Sequence, residues 1–206
     1  MEPREPRFRK PEPRFNKVVI FSGHMIDAPG RKTPRFPPEK EDAVRQRIAR
    51  QLDEWQIGPG DLAICGGARG GDLLFAELCA DRGAEVWLFL ALPEKDFLAE
   101  SVRLPNSNWE PRFFELRARP KVKTFIQNEH LGPPPEGASV FARNNLWILD
   151  AARVEAEPDN LYAILVWDEQ PTGDGPGGTS DFAAQVKRFG GHLAPIINPT
   201  TIQPGE

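Results

Sequence analysis

The stretch Gly66-Gly67-Ala68-Arg69-Gly70-Gly71-Asp72 constrains this chain more than any other. The apolar run Leu62-Ala63-Ile64-Cys65 leads into it, and the amphipathic run from Leu73 to Ala80 leads out. The order reads as strand, glycine turn, helix. Four glycines in six residues let the backbone turn sharply and let a ligand approach without Cβ atoms in the way. The helix that follows begins with unpaired N–H groups and a partial positive charge aimed at the turn. A phosphate suits that place. Asp72 is placed to cap the helix or to bind a ribose hydroxyl. A tight connection that binds nothing would use the same residue types, so the rest of the chain must decide.

That rest alternates strands with helices. Lys17–Phe21 reads as a first buried strand, ending at Ser22-Gly23-His24. Residues 25–38 are rich in proline and glycine and read as irregular. Arg31, Lys32 and Arg35 in this loop read as solvated charges, with contact to an anion as the alternative. From Glu39 to Trp55, Val44, Ile48, Leu52 and Trp55 recur at spacings of four, four and three, which gives one apolar helix face. Glu85–Leu90 is strand-like, and residues 95–118 read as helix broken by Pro105 and Pro111. Val122–Phe125 reads as a short strand, 126–138 as a loop, and Val140–Val154 as a helix. Leu161–Trp167 is the strongest strand pattern, Ser180–Phe189 a helix, and His192–Ile197 an edge strand, because Pro195 cannot donate to a ladder. This alternation predicts an α/β fold with a doubly wound, mainly parallel sheet in a single domain.

The chain's 206 residues suffice for one domain with a real core. Residues 1–16, with Glu-Pro-Arg repeats, read as a disordered tail: a linker to a fused or partner domain, or an arm that binds a partner. Residues 199–206 read as a loose C-terminal tail. The net charge of −4 argues against a generic nucleic-acid-binding surface. No apolar run is long enough to cross a bilayer, and no secretory signal pattern opens the chain. Cys65 and Cys79 fall on a strand and a helix, so they read as core thiols rather than a disulfide, and a cytoplasmic location is expected. No Cys/His cluster has zinc spacing, so no metal is expected.

A second glycine loop changes the weight of the first. Gly173-Asp174-Gly175-Pro176-Gly177-Gly178-Thr179 also follows a strand and opens a helix. In a parallel sheet such junctions share one edge. Ser22, Gly23, Gly66, Gly67, Arg69, Gly70, Gly71 and Asp72 would then face Gly175, Gly177, Gly178 and Thr179 across one ligand. Two helix N-termini would cradle its phosphate, with the Thr179 hydroxyl donating to the same oxygens. Neither loop ends in Gly-Lys-Ser/Thr, and neither has the GxGxxG spacing. Nicotinamide dinucleotide bound in the dehydrogenase manner is not expected, and no cofactor is expected. His24, without an identified partner, reads as a hydrogen-bonding loop residue. Asp168 and Asp174 read as acidic turn residues, or as holders of a ribose hydroxyl or Mg²⁺.

The glycine turn, Arg143 on its helix, and Pro176-Gly177-Gly178-Thr179 in that order resemble the SLOG superfamily over residues 17–198. That superfamily includes the Lonely Guy (LOG, "lysine decarboxylase-like") phosphoribohydrolases, DprA-like proteins and nucleotide-sensing SLOG domains. The turn is similar to the family's GGGxxG, with Ala68 replacing its third glycine, and to the GGARGAD form. Arg143 matches the arginine of a Glu-Arg-Lys helix, although Ala142 and Asn144 replace its neighbours. Pro176-Gly177-Gly178 matches the start of PGGxGTxxE. The resemblance implies a Rossmann-like fold, a nucleotide-derived ligand and a homodimer. In LOG enzymes the arginine and the motif's final glutamate form the proposed catalytic pair. Here the glutamate position falls on Ala184 or Phe182, with Asp181 adjacent.

Two functions follow. One is a binding or sensing module for a nucleotide-derived ligand. The other is a LOG-like nucleoside 5′-monophosphate phosphoribohydrolase using Arg143 with Asp181. The missing glutamate favours the first.

Overall fold

Short apolar runs dominate the strands, and a strand buried on both faces can satisfy its peptide groups only by pairing. The computed structural model describes residues 14–170 and 178–203. β1 (Val18–Gly23), β2 (Leu62–Cys65), β3 (Glu85–Leu90), β4 (Val122–Ile126), β5 (Leu161–Val166) and β6 (His192–Leu193) form one sheet among these residues. Its order is β4-β3-β2-β1-β5-β6, and every pairing is parallel. This is a Rossmann-like α/β fold.

Side chains alternate across each strand, so the sheet has two cores. Val19, Phe21, Ala63, Cys65, Val86 and Leu88 face α1 (Glu41–Glu54), α2 (Gly71–Asp81) and α4 (Trp109–Arg117). Val18, Ile20, Leu62, Ile64, Trp87 and Phe89 face α6 (Val140–Glu155) and α7 (Thr179–Phe189). Both cysteines are buried free thiols, and burial raises the pKa of each. Across the first face, Glu77 joins α2 to its neighbours by ion pairs with Arg45 and Arg112. Among the described residues no helix is long and apolar enough to cross a membrane.

Several boundaries differ from the sequence reading. Ser22 and Gly23 are the last residues of β1, paired with Leu165 and Val166, and not part of a loop. The segment 126–138 contains a short helix, α5 (Gln127–Leu131). Pro111 does not break a helix. It lies in the first turn of α4, where its missing N–H would have no partner anyway. The break before it runs through α3 (Glu94–Phe97) and a π-helical turn at Leu98–Val102. The last strand shortens to two residues ahead of Pro195, and Ile197 makes only an isolated bridge to Val166. Residues 14–16, placed in the tail by composition, pack on the sheet: Phe15 is buried and meets the edge of Trp87 at 6.0 Å. At the other end Ile202 is buried, and its carbonyl accepts from Lys40 Nζ at 2.8 Å.

Candidate functional site

From β1 the chain runs outward through β2, β3 and β4, then returns to lay β5 on the other side of β1. In open α/β sheets this reversal leaves a crevice at the carboxyl ends of the two strands, where ligands bind. A cleft of about 250 Å³ opens there. Ser22, Gly23 and His24 from the end of β1 line it, as do Gly66, Ala68 and Asp72 from the β2–α2 turn. Ala91, Phe97 and Phe141 give it an apolar wall. Asn144 and Asn145 of α6 and Thr179 at the start of α7 complete the polar side.

Within the glycine turn three backbone donors, on Gly66, Arg69 and Gly71, already have acceptors. The Gly66 N–H donates to Asp72 Oδ1 at 2.8 Å, and the carboxyl of Asp72 lies where an anion would sit. Burial pushes this carboxyl up to about 7, against the opposing pull of the Gly66, Gly67 and Asp72 N–H groups. The Arg69 N–H donates to the Ser101 carbonyl at 2.8 Å, and the Gly71 N–H to the His24 carbonyl at 3.2 Å. Gly70 has φ +89°, and a Cβ there would stand 2.4 Å from the Ile26 nitrogen. A Cβ on Gly71 would stand 2.7 Å from the Phe21 ring. These two glycines therefore admit the chain's own segment 24–26, which bridges Gly70 through Met25. Part of the phosphate cradle expected at Gly66–Asp72 is taken up from within, by the Asp72 carboxyl and the segment 24–26. Gly66 and Asp72 reach the cleft, while Arg69 turns away and donates through Nη1 to the Glu100 carbonyl at 3.0 Å.

His24 has the partner that the sequence does not identify. Its Nε2 lies 2.9 Å from Asp168 Oδ1, just beyond the end of β5. Asp168 Oδ2 accepts from Arg35 Nε at 3.1 Å. Burial opposes ionisation of Asp168, but the bonds from His24 and Arg35 outweigh it and hold the carboxyl at about 2. A carboxylate so acidic carries no proton and can only accept, and the Asp168 backbone nitrogen lies 3.2 Å from the same Nε2. Arg31 and Arg35 both line the cleft, so the loop charges that read as solvated belong to it. The position of Asp168 at a strand end was the available signal for this cluster.

Asn144, which the sequence marks only as a motif departure, is nearly fully buried and anchors α6. Its Nδ2 donates to the Phe89 carbonyl at 2.6 Å, and its Oδ1 accepts from Gln127 Nε2 at 3.3 Å. Arg143 points elsewhere. Its guanidinium donates to the carbonyls of Leu131 at 2.7 Å and Gly132 at 2.9 Å, which ties the end of α5 to α6. Asp181 Oδ2 accepts from Gln185 one turn along α7 at 3.0 Å. Neither Arg143 nor Asp181 lines the cleft. Gly178 precedes the first turn of α7 and Thr179 opens it. Asp174, Gly175 and Gly177 lie outside the described residues. Among the described residues no three His, Cys, Asp or Glu side chains group as metal ligands would.

No protein-family model matches the chain, and no curated protein matches it. Similar solved structures include the structural-genomics target TM1055, 17% identical with a TM-score of 0.38, over 88% of this chain and 94% of that one. They also include DNA processing protein A (DprA) from Streptococcus pneumoniae, 14% identical with a TM-score of 0.39, over 90% of this chain. The matched region spans 60% of that DprA chain, under two thirds of its length. At these identities and scores neither carries an argument about family or function. The SLOG resemblance rests on the motif residues and on the Rossmann-like sheet that they imply.

Proposed function

We infer that the protein binds a nucleotide-derived ligand in the cleft between the ends of β1 and β5. The observation that carries this reading is the cleft's place at the reversal of strand order, with an apolar wall facing hydroxyl and amide groups. Ser22, Asn145 and Thr179 suit the sugar and phosphate, and Phe97 and Phe141 suit the flat apolar faces of a base. A volume of about 250 Å³ fits a mononucleotide better than an extended dinucleotide. The first test is thermal stabilisation by AMP, other nucleoside monophosphates, ADP-ribose and NAD. A ligand at a hundred times its dissociation constant adds about 2.7 kcal/mol of stability. The expected hits are mononucleotide-sized, and a flat response to the whole panel overturns the reading.

Hydrolysis is the second reading, now on different residues. Asp72, a carboxyl that titrates near neutrality, and His24, backed by Asp168, both line the cleft and are the acid–base groups that cleavage of an N-glycosidic bond needs. Each stabilising ligand is incubated with the protein and the mixture resolved by chromatography. Free base supports hydrolysis, and an unchanged ligand supports binding alone.

A further inference from the structure

The loop after β1 is closed on itself. Asp27 Oδ2 accepts from the N–H groups of Arg35 at 2.8 Å and Phe36 at 2.9 Å, and the Asp27 N–H donates to the Phe36 carbonyl at 2.8 Å. Phe36 is fully buried in the core beneath. Arg31 and Arg35 therefore project from a fixed base. Each guanidinium is pinned by its inner nitrogen. Arg35 Nε donates to Asp168 Oδ2 at 3.1 Å. Arg31 Nε donates to the Thr33 carbonyl at 2.9 Å and lies 3.3 Å from Asp27 Oδ1. Among the described residues nothing accepts from the terminal nitrogens of either side chain. Both side chains line the cleft.

We propose that Arg31 and Arg35 hold the phosphate group of the ligand through these terminal nitrogens. The proposal deepens the reading of the cleft as a nucleotide site and rests on it. It also moves the anion away from the glycine turn, where the Gly66, Arg69 and Gly71 N–H groups already serve Asp72 and carbonyls of the chain. A guanidinium fixed at Nε keeps a planar pair of N–H₂ groups that matches two phosphate oxygens, with little rotamer freedom left to lose. Two such pairs match a doubly charged phosphate monoester. The carboxylates of Asp27 and Asp168 orient the forks and offset part of their charge. The site therefore discriminates by geometry more than by bulk attraction.

Calorimetric titration of the full chain with AMP, adenosine and inorganic phosphate tests this, at two salt concentrations. Arg31→Gln and Arg35→Gln are each expected to weaken AMP about tenfold, and the pair together about a hundredfold. Adenosine affinity should not change. Lys32→Gln removes an equal charge from an exposed position of the same loop and should leave AMP affinity within about twofold, since diffuse attraction is screened. Arg35→Gln also breaks a bond to Asp168, so its melting temperature is recorded alongside. Arg31→Gln, which loses only a loop carbonyl and a partly exposed ion pair, keeps the test valid if Arg35→Gln fails to fold. If the double variant binds AMP like the wild type, the arginine proposal falls and the nucleotide site stands. If the wild type binds phosphate through the arginines but binds neither AMP nor adenosine, the proposal stands and the nucleotide reading falls. If the wild type binds none of the three, both fall.

Discussion

Asp72 and Asp168 reach the same edge of the sheet with similarly little exposed surface, 7% and 6%, although Asp72 lies deeper. Their carboxyls nevertheless titrate far apart, at about 7 and about 2. Burial penalises the charged form in both places. Asp72 answers it only with backbone N–H groups, and burial wins. Asp168 has the His24 ring and the Arg35 guanidinium, and they win. The same contrast separates the two loops. The β2–α2 turn directs its Gly66, Arg69 and Gly71 donors inward, to the Asp72 carboxyl and to the carbonyls of Ser101 and His24. The β1 loop uses carboxylates to aim cationic groups at the cleft. Depth and partners together thus set the charge at this edge: Asp72 lies deeper and has only backbone donors, and Asp168 has two side-chain partners.

Two substitutions test this contrast, and a third tests the direction of Arg143. The largest effect is expected from Asp72→Asn. In the fold Asp72 holds its proton up to about pH 7, against 3.8 for the free side chain. The native state therefore binds more protons than the unfolded chain between those values, and the wild type loses stability as pH rises from about 4 to about 7. The substituted amide cannot ionise, and its oxygen can still accept from the Gly66 N–H. The variant should be more stable than the wild type at pH 8, by up to about 4 kcal/mol, and nearly equal at pH 4. Urea unfolding across that range reads the difference. Equal slopes in the two proteins would show that Asp72 is ionised and well satisfied, and would collapse the contrast.

Asp168→Asn comes next, with the opposite sign. A folded pKa of about 2 lies below the ordinary 3.8, so the contribution of Asp168 is present above about pH 4 and fades as pH falls toward 2. The variant should lose about 2–3 kcal/mol at pH 7, because His24 and Arg35 each lose a charged partner. The deficit should shrink between pH 4 and pH 2. A deficit that does not change with pH would mean that shape, and not charge, makes Asp168 useful.

Arg143→Gln should do least. Freeing the carbonyls of Leu131 and Gly132 at a half-exposed site costs about 1 kcal/mol. Nucleotide affinity should stay within about twofold. A tenfold loss would return Arg143 to the binding site, despite its present direction.

Much of the scaffold is legible in the amino-acid sequence. Apolar runs marked five strands closely, and the four-four-three spacing of Val44, Ile48, Leu52 and Trp55 marked α1. What failed were features set by tertiary contact. Phe15 sits in a stretch whose composition reads as tail, and only the edge of Trp87 makes it core. α5 is too short to show a period. In the site, the residues at strand ends were legible because parallel strands expose their carboxyl ends on one edge. Ser22, Gly66 and Thr179 all reach the cleft. The donor count of the glycine turn was not legible, since nothing in the spacing says that Asp72 folds back on Gly66. Nor was the direction of Arg143, which depends on a helix end built from a segment that reads as loop.

The crowding at Gly70 has a consequence for how this protein can vary. A single added methyl group would meet the backbone of Ile26 before it met any ligand. The chain would have to lift the β1 loop to make room, and Arg31 and Arg35 would move with it. A residue outside the cleft lining therefore sets the height of the two arginine arms that line it. Changes in the glycine turn should surface as altered affinity at a distance, and a screen that scored only cleft residues would miss their origin.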